Sequence, residues 1–329
     1  MASVTSSVKD AVRQARRVWR YRQFYSGPTR SADQRPFAVV VGNCQAEPIA
    51  RELAVNEDLA QAYRVVLVPA IHLLTPADAR RLRAILPKVG LYVTQQVRDG
   101  YHGMQIGTEE LVKELHPSAE VRRIPVLYYE GLYPYQVYVR DKRETSELAP
   151  LTGYHDLRYL YAAASGWDAS NSQAWLDEFE PPAGAIQETA AGSKQSLRDR
   201  EKSLDITMSD LLGLESGPSP SFFTVNHPSN AVLQHTANRV LESLDVIAAG
   251  DVSSPEWLDQ EVTPIENVTL AELGVRDFGA QDHWVINGNE YSHQQMLAKH
   301  LDWYLANPSI VMAGLKQHAE KMHLLGLAR

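Results

Sequence analysis

One cysteine in 329 residues is the chain's most telling shortage. It excludes an internal disulfide, and with it the disulfide-stapled secreted class, and it excludes the paired thiolates of a structural zinc site. Long apolar runs are missing too. Nothing approaches the roughly 18 residues that a membrane-spanning helix needs, and the N-terminus lacks the unbroken apolar core of a signal peptide, so the expected location is the cytoplasm. There is no glycine-rich loop closing on Lys-Ser/Thr, no G-x-G-x-x-G and no H-E-x-x-H. Kinase, dinucleotide oxidoreductase and zinc hydrolase readings therefore have no motif behind them, and no metal is expected.

What is present is ordinary in bulk, 44% hydrophobic and 22% charged, the composition of a folded globular chain. The length suits two domains, or one α/β domain with a helical addition. Charge is uneven. Residues 1–35 hold eight Lys/Arg against two Asp, a charge of +6, which leaves −14 of the net −8 to the remainder. An acidic body argues against general nucleic-acid binding, while the basic arm suits anionic lipid, an acidic partner or the protein's own acidic surface. Within that arm Val4, Val8, Ala11, Ala15 and Val18 recur at steps of four and three, which predicts an amphipathic helix over about residues 5–25. Trp19, Tyr21, Phe24 and Tyr25 are suited either to a membrane interface or to packing on the body or a second subunit. Ser26-Gly27-Pro28-Thr29 reads as a linker.

From Pro36 onward strand and helix patterns alternate: strands at Phe37 to Val41, Arg64 to Val68, Leu91 to Thr94 and Arg123 to Tyr128, helices at Ala46 to Leu53 and Pro76 to Leu86. This predicts an α/β fold with a mostly parallel sheet flanked by helices and ligands beyond the carboxyl ends of the strands. Residues 1–35 form the basic helix and linker, 36–250 the α/β domain with a helical insertion at about 135–212, and 251–329 a C-terminal helical region. Gly213 to Ser221 is a surface loop. Phe222 to Val225 is a further strand, followed by Asn226-His227-Pro228 and a helix to about Leu244, a layout that places His227 at the same sheet edge as the first strand's end.

That end carries the cysteine, in Val41-Gly42-Asn43-Cys44-Gln45. A thiol at a helix start meets unpaired N–H groups and the positive end of the dipole, both of which favour thiolate. Two readings stand: a nucleophile with Gly42, Asn43 and Gln45 supplying oxyanion or orienting donors, or a small apolar residue in a turn. His227 is the natural base, with Asn226 to orient it, and the same three residues also serve as an ordinary turn before a helix. His155 is a second candidate, though its neighbour Asp156 is badly placed to orient it. Gln95 and Gln96 close the third strand, again at a carboxyl end, and Arg98 with Arg122 and Arg123 are the cations for a phosphate. Tyr128, Tyr129, Tyr133 and Tyr135 suit stacking on a sugar or adenine and equally suit a core. His293 and His300, seven apart, lack a ligand pattern and read as structural.

Gly42-Asn43-Cys44-Gln45, Gln95-Gln96-Val97-Arg98-Asp99-Gly100-Tyr101, Gly131-Leu132-Tyr133-Pro134, Tyr154-His155-Asp156 and Thr224-Val225-Asn226-His227-Pro228, in that order, resemble the WcbI-type capsular polysaccharide biosynthesis proteins over residues 36 to 245. The resemblance implies a fold distantly like the SGNH esterases and transfer of acetyl from acetyl-CoA to a sugar hydroxyl. Cys44 then carries or lines the acetyl group, His227 acts as base near neutrality with Asn226 beside it, and Gly42, Asn43, Gln45 and Gln95 hold the oxyanion or acceptor. Arg98, Tyr101, Tyr133 and His155 become ligand candidates. The implied partners are coenzyme A and a saccharide acceptor, with peripheral contact at the inner face of a membrane through residues 5–25. An esterase or thioesterase of the same fold group, and a non-catalytic CoA- or carbohydrate-binding component of a capsule assembly complex, are the alternatives.

Overall fold

Val39, Val40 and Val41 continue a run begun by Phe37 and Ala38, five apolar residues of which three are β-branched, and they form β1 (Phe37–Val41), buried along its whole length. In the computed structural model, which describes residues 12, 14–26, 33–140, 150–213, 218–248 and 255–327, β1 is joined by β2 (Arg64–Val65), β3 (Val89–Gln95) and β4 (Glu120–Ile124) in a four-stranded sheet of order β2-β1-β3-β4. Every pairing is parallel, as the alternating pattern predicts. Val41 lies opposite Thr94, so β1 and β3 end side by side and the turn after one meets the turn after the other.

Two compact units interleave along the chain. The first takes Met1–Val126, Arg200–Met208 and Asn230–Pro255, the second Leu127–Asp199, Ser209–Ser229 and Glu256–Arg329. In the first, the helix Ala46–Val55 buries Ile49, Ala50 and Leu53 and packs against β1 and against the helix Asn230–Glu242. The helix Pro76–Ile85 starts on a capping box of Thr75 and Asp78 with proline in its first turn, an arrangement that satisfies the early N–H groups. Residues 14–20 and Arg22–Ser26 are helical, broken at Tyr21. Tyr21 and Phe24 join the apolar cluster of Val39, Val41, Ile71 and Leu82, so this face of the predicted helix packs on the protein's own core. Residues 5–11 and 13 of that helix, the predicted linker from Gly27 to Thr29, and 214–217 of the predicted loop lie outside the described residues.

β4 begins three residues before its predicted start and ends at Ile124. Glu120, Arg122 and Arg123 conceal it from a hydropathy reading, and Pro125, without an N–H, cannot extend the ladder.

The second unit holds β5 (Gln136–Val137) antiparallel to β6 (His155–Asp156), β7 (Phe222–Thr224) antiparallel to β8 (His227–Pro228), and a sheet of β9 (Glu261–Val262), β10 (His283–Ile286) and β11 (Asn289–Ser292) in order β11-β10-β9. This corrects two expectations. The strand before His227 belongs to a separate antiparallel pair rather than to the parallel sheet, because a strand, turn, helix pattern does not specify its partner. Residues 251–329, read as helical, also contain β9, β10 and β11. Leu157, Leu160, Met296, Leu297 and Val311 centre the core of this unit, contributed by the helices Leu157–Ala164, His293–Ala306 and Pro308–Gln317.

Candidate functional site

The turn after β1 is held by amides. Gln95, at the end of β3 and 1% exposed, accepts the Asn43 N–H on Oε1 at 2.8 Å and donates from Nε2 to Gln45 Oε1 at 3.0 Å and to the Pro125 carbonyl at 3.4 Å. Asn43 Oδ1 accepts the Gln45 N–H at 2.9 Å, closing an Asx turn. The Gln95 carbonyl is itself gripped by the Thr108 hydroxyl at 3.1 Å, and the same hydroxyl accepts the Val97 N–H at 2.9 Å. Gly42 is required for space: a Cβ there would lie 2.3 Å from Gln95 Oε1.

Cys44 emerges half-buried from this frame, immediately before the helix Ala46–Val55. The frame changes the expected roles. Gln95 has both ends of its amide occupied, and the N–H groups of Asn43 and Gln45 are spent inside the turn. Gln95 and Gly42 are thus positioning residues, and among the described residues the Asn43 Nδ2 group remains as a side-chain donor at the mouth.

Glu47, in the first turn of the same helix, is 6% exposed and accepts from Tyr21 Oη at 2.6 Å, Arg20 Nε at 2.7 Å and Arg51 Nη2 at 2.6 Å. Burial pushes its carboxyl up, yet these bonds outweigh it and hold it below the usual range. The basic arm therefore meets the protein's own acidic surface here and at Asp78, which pairs with Arg17 at 2.8 Å.

Arg98 is exposed and makes no ion pair among the described residues. Arg122 and Arg123, the other predicted phosphate cations, are engaged by Glu120 at 2.8 Å and Glu109 at 3.0 Å. Tyr101 packs partly buried against the core of the first unit, edge-on to His102.

The remaining predicted residues lie in the second unit. Asn226 lies in the two-residue turn between β7 and β8, and His227 opens β8. Asn226 Oδ1 accepts a short hydrogen bond from Tyr154 Oη and another from Tyr138 Oη at 3.3 Å. The rings of Tyr138 and Tyr154 are 4.8 Å apart, and Tyr154 stands edge-on to His227 at 6.1 Å. The Nδ1 atom of His227 is buried with no hydrogen-bond partner among the described residues, so Asn226 does not orient the ring through that atom. Burial lowers the His227 pKa to about 4 instead of leaving it near neutrality, and the imidazole is uncharged at pH 7.

Tyr133 and His155, expected as ligand residues, are core residues. Tyr133 is 2% exposed and donates to the Phe222 carbonyl at 2.5 Å. His155 meets Tyr304 Oη through Nδ1 at 2.7 Å and stacks on that ring, and burial takes its pKa to about 3. Asp156 instead pairs with Arg158 at 2.8 Å. His300 bonds the Met296 carbonyl at 2.9 Å, a structural role as read from the sequence.

Sequence reasoning missed Tyr138, Thr108 and the Glu47 network. Tyr154 had a signal in its motif. The others depend chiefly on partners 11 to 88 residues away and leave no local trace.

A sequence model of the family described as "Polysaccharide biosynthesis enzyme WcbI" matches residues 37–248. No curated protein matches the chain. Among solved structures, one described as WcbI, a polysaccharide biosynthesis enzyme, as the native protein without a disulfide bond between CoA and one of its cysteines, superposes with a TM-score of 0.76 at 20% identity. The superposition covers 89% of this chain and 99% of that one. At that identity the likeness establishes the shared fold.

Proposed function

The chain belongs to the WcbI family of polysaccharide biosynthesis enzymes, and on that premise we propose that it is a coenzyme A-binding O-acetyltransferase acting on a saccharide hydroxyl, with the Cys44 turn at the thioester. The observation that carries this reading is the turn itself. A half-buried thiol stands at the carboxyl end of a parallel strand, in a loop whose shape is fixed by a fully engaged buried glutamine. Active sites of parallel sheets lie at that end, and the structural relative is described as the form without a disulfide bond between CoA and one of its cysteines, a description in which CoA and a cysteine are named together.

The donor set fits such a ligand: a thiol and the Asn43 Nδ2 at the mouth for the thioester, and the exposed guanidinium of Arg98 for a phosphate. When bound, acetyl-CoA supplies the activated acetyl group. Asn43 holds the carbonyl oxygen as negative charge develops on it. The base is assigned to His227, which is neutral at pH 7 and so has a lone pair with which it would accept the proton of the acceptor hydroxyl and later give it up to the thiol leaving group. Cys44 either lines this site or receives the acetyl group first.

No helix of the described residues is long and apolar enough to cross a membrane. We assign contact with an anionic lipid surface to the outward face of the N-terminal arm, where Trp19 is 72% and Val18 41% exposed beside Arg16 and Arg22.

The test is iodoacetamide labelling of Cys44 with and without CoA, followed by intact mass measurement after acetyl-CoA. CoA should protect Cys44, and an unprotected thiol would sink the placement. A mass gain of one acetyl group on Cys44 selects the covalent route, and full transfer by Cys44→Ser rejects it. Full activity in His227→Ala removes the base. Acetate released without acceptor would indicate a hydrolase, and protection without transfer or release a binding component.

A further inference from the structure

We infer that the N-terminal arm, residues 14–26, is a strap that positions the Cys44 turn and sets the reactivity of its thiol, with Arg17, Arg20 and Tyr21 as positioning residues. The arm lies wholly before the family-matched residues. The inference takes from the functional reading only that Cys44 is where the chemistry happens.

The strap grips the turn from two sides. On one side Arg20 and Tyr21 hold both oxygens of Glu47, three residues after Cys44 in the first turn of its helix. A carboxylate there steadies the helix but opposes the positive field that a thiolate at the helix start draws on. Arg51 from the same helix neutralises Glu47, and Arg20 makes the triad net positive. On the other side Arg17 Nη2 donates to the Leu73 carbonyl and to Asp78 Oδ2, both at 2.8 Å. Leu73 ends the short turn Ile71–Leu73, whose Ile71 N–H donates to the Gly42 carbonyl at 2.8 Å. Between the two grips Tyr21 and Phe24 share one apolar cluster with Val41 and Ile71. The flanks of Gly42-Asn43-Cys44-Gln45 are thus tied to the same short segment.

Among the described residues, the charged and titratable groups in this arrangement are Arg17, Arg20, Tyr21 and Tyr25 on the arm, Glu47, Arg51 and the buried Glu52 on the helix after Cys44, His72 in the turn Ile71–Leu73, and Asp78 and Arg81 on the helix Pro76–Ile85. Loss of Arg20 removes the positive charge bonded to Glu47, the carboxylate three residues after Cys44, and leaves the field of Glu47 less offset. The thiolate fraction should fall.

Cys44 is the only thiol, so iodoacetamide alkylation of the full chain reads it alone. Arg20→Gln, at a half-exposed position that tolerates substitution, should slow alkylation at pH 7 about two- to fivefold at low salt and move the acid limb of the rate profile to higher pH. Arg20→Lys should recover most of the rate, and Tyr21→Phe, which keeps the packed ring, should shift the profile in the same direction. Arg80→Gln removes an exposed arginine of the same unit that makes no ion pair among the described residues, and should leave the profile unchanged. Wild-type profiles in both Arg20→Gln and Tyr21→Phe would overturn the inference, and so would an equal shift in Arg80→Gln, which would reduce the effect to net charge. Because the assay needs neither CoA nor an acceptor, its outcome is separate from that of the acetyltransferase reading.

Discussion

Replacing Gly42 by alanine tests the claim that the turn is shaped by Gln95. Gly42 does not have positive φ, so alanine meets no backbone penalty and the effect is steric. The new Cβ would stand 2.3 Å from Gln95 Oε1, 2.8 Å from its Cδ and 3.0 Å from its Cγ. Gln95 must then swing away, breaking its bonds to the Asn43 N–H and to Gln45 Oε1. A buried polar group left without a partner costs about 1–3 kcal/mol. Asn43 is half-buried and water can reach it, so the sum for Gly42→Ala is about 2–4 kcal/mol. Gln95→Ala loses the same bonds and adds a cavity, for about 3–5 kcal/mol.

The decisive variant is the double one. With alanine at 95 the obstruction to a Cβ at 42 is gone, so Gly42→Ala/Gln95→Ala should fall within about 1 kcal/mol of Gln95→Ala alone, giving a coupling of about 2–3 kcal/mol. Urea unfolding of the four proteins, followed by circular dichroism, measures this directly. Simple additivity would refute the reasoning, since it would mean that Gly42 and Gln95 contribute independently.

Two further outcomes are expected. His227 has its folded pKa depressed to about 4 from 6.5, so the unfolded chain binds more protons between those values; the stability that neutral burial confers is complete above pH 6.5 and lost as pH falls toward 4. Between pH 7.5 and 5 this amounts to about 2 kcal/mol, which His227→Gln should remove from the pH dependence of unfolding, and an unchanged dependence would contradict the burial of the ring. For the arm's outer face, sedimentation with vesicles containing phosphatidylglycerol should carry the protein down and phosphatidylcholine vesicles should not, with Trp19→Ala abolishing the difference; equal recovery with both lipids would reject an anionic membrane partner.

What could be read in advance follows the range of the forces involved. β1, the glycine turn and the helix from Ala46 were visible because apolar runs, turn residues and helix starts are written in contiguous residues. The parallel sheet followed from alternation. β4 was misplaced because its arginines and glutamate give it a polar face, and His227 was assigned to the wrong sheet because hydrogen-bond partners of a strand are set by the rest of the fold. His155 shows the same limit. Beside Asp156 it had the look of a paired catalytic histidine, yet its partner is Tyr304, 149 residues on, and Asp156 serves Arg158.

The Cys44 turn combines both kinds of information, and this bears on how its reactivity is controlled. The residue types that make a thiol nucleophilic are local: a strand end, a glycine, a helix start. The groups that make the turn rigid are remote, with Gln95 fifty-two residues beyond Asn43 and Tyr21 twenty-six before Glu47. Rigidity of this kind matters because an oxyanion donor stabilises charge only if it is already in place when the charge develops. In the donor role proposed for Asn43, Gln95 would fix its backbone and the Gln45 N–H its Oδ1, so that Nδ2 is restrained by two bonds it does not itself make. A substitution at Gln95 should therefore lower the rate of acetyl transfer more than it weakens binding of CoA, the pattern expected of a group that acts on the transition state through its neighbour.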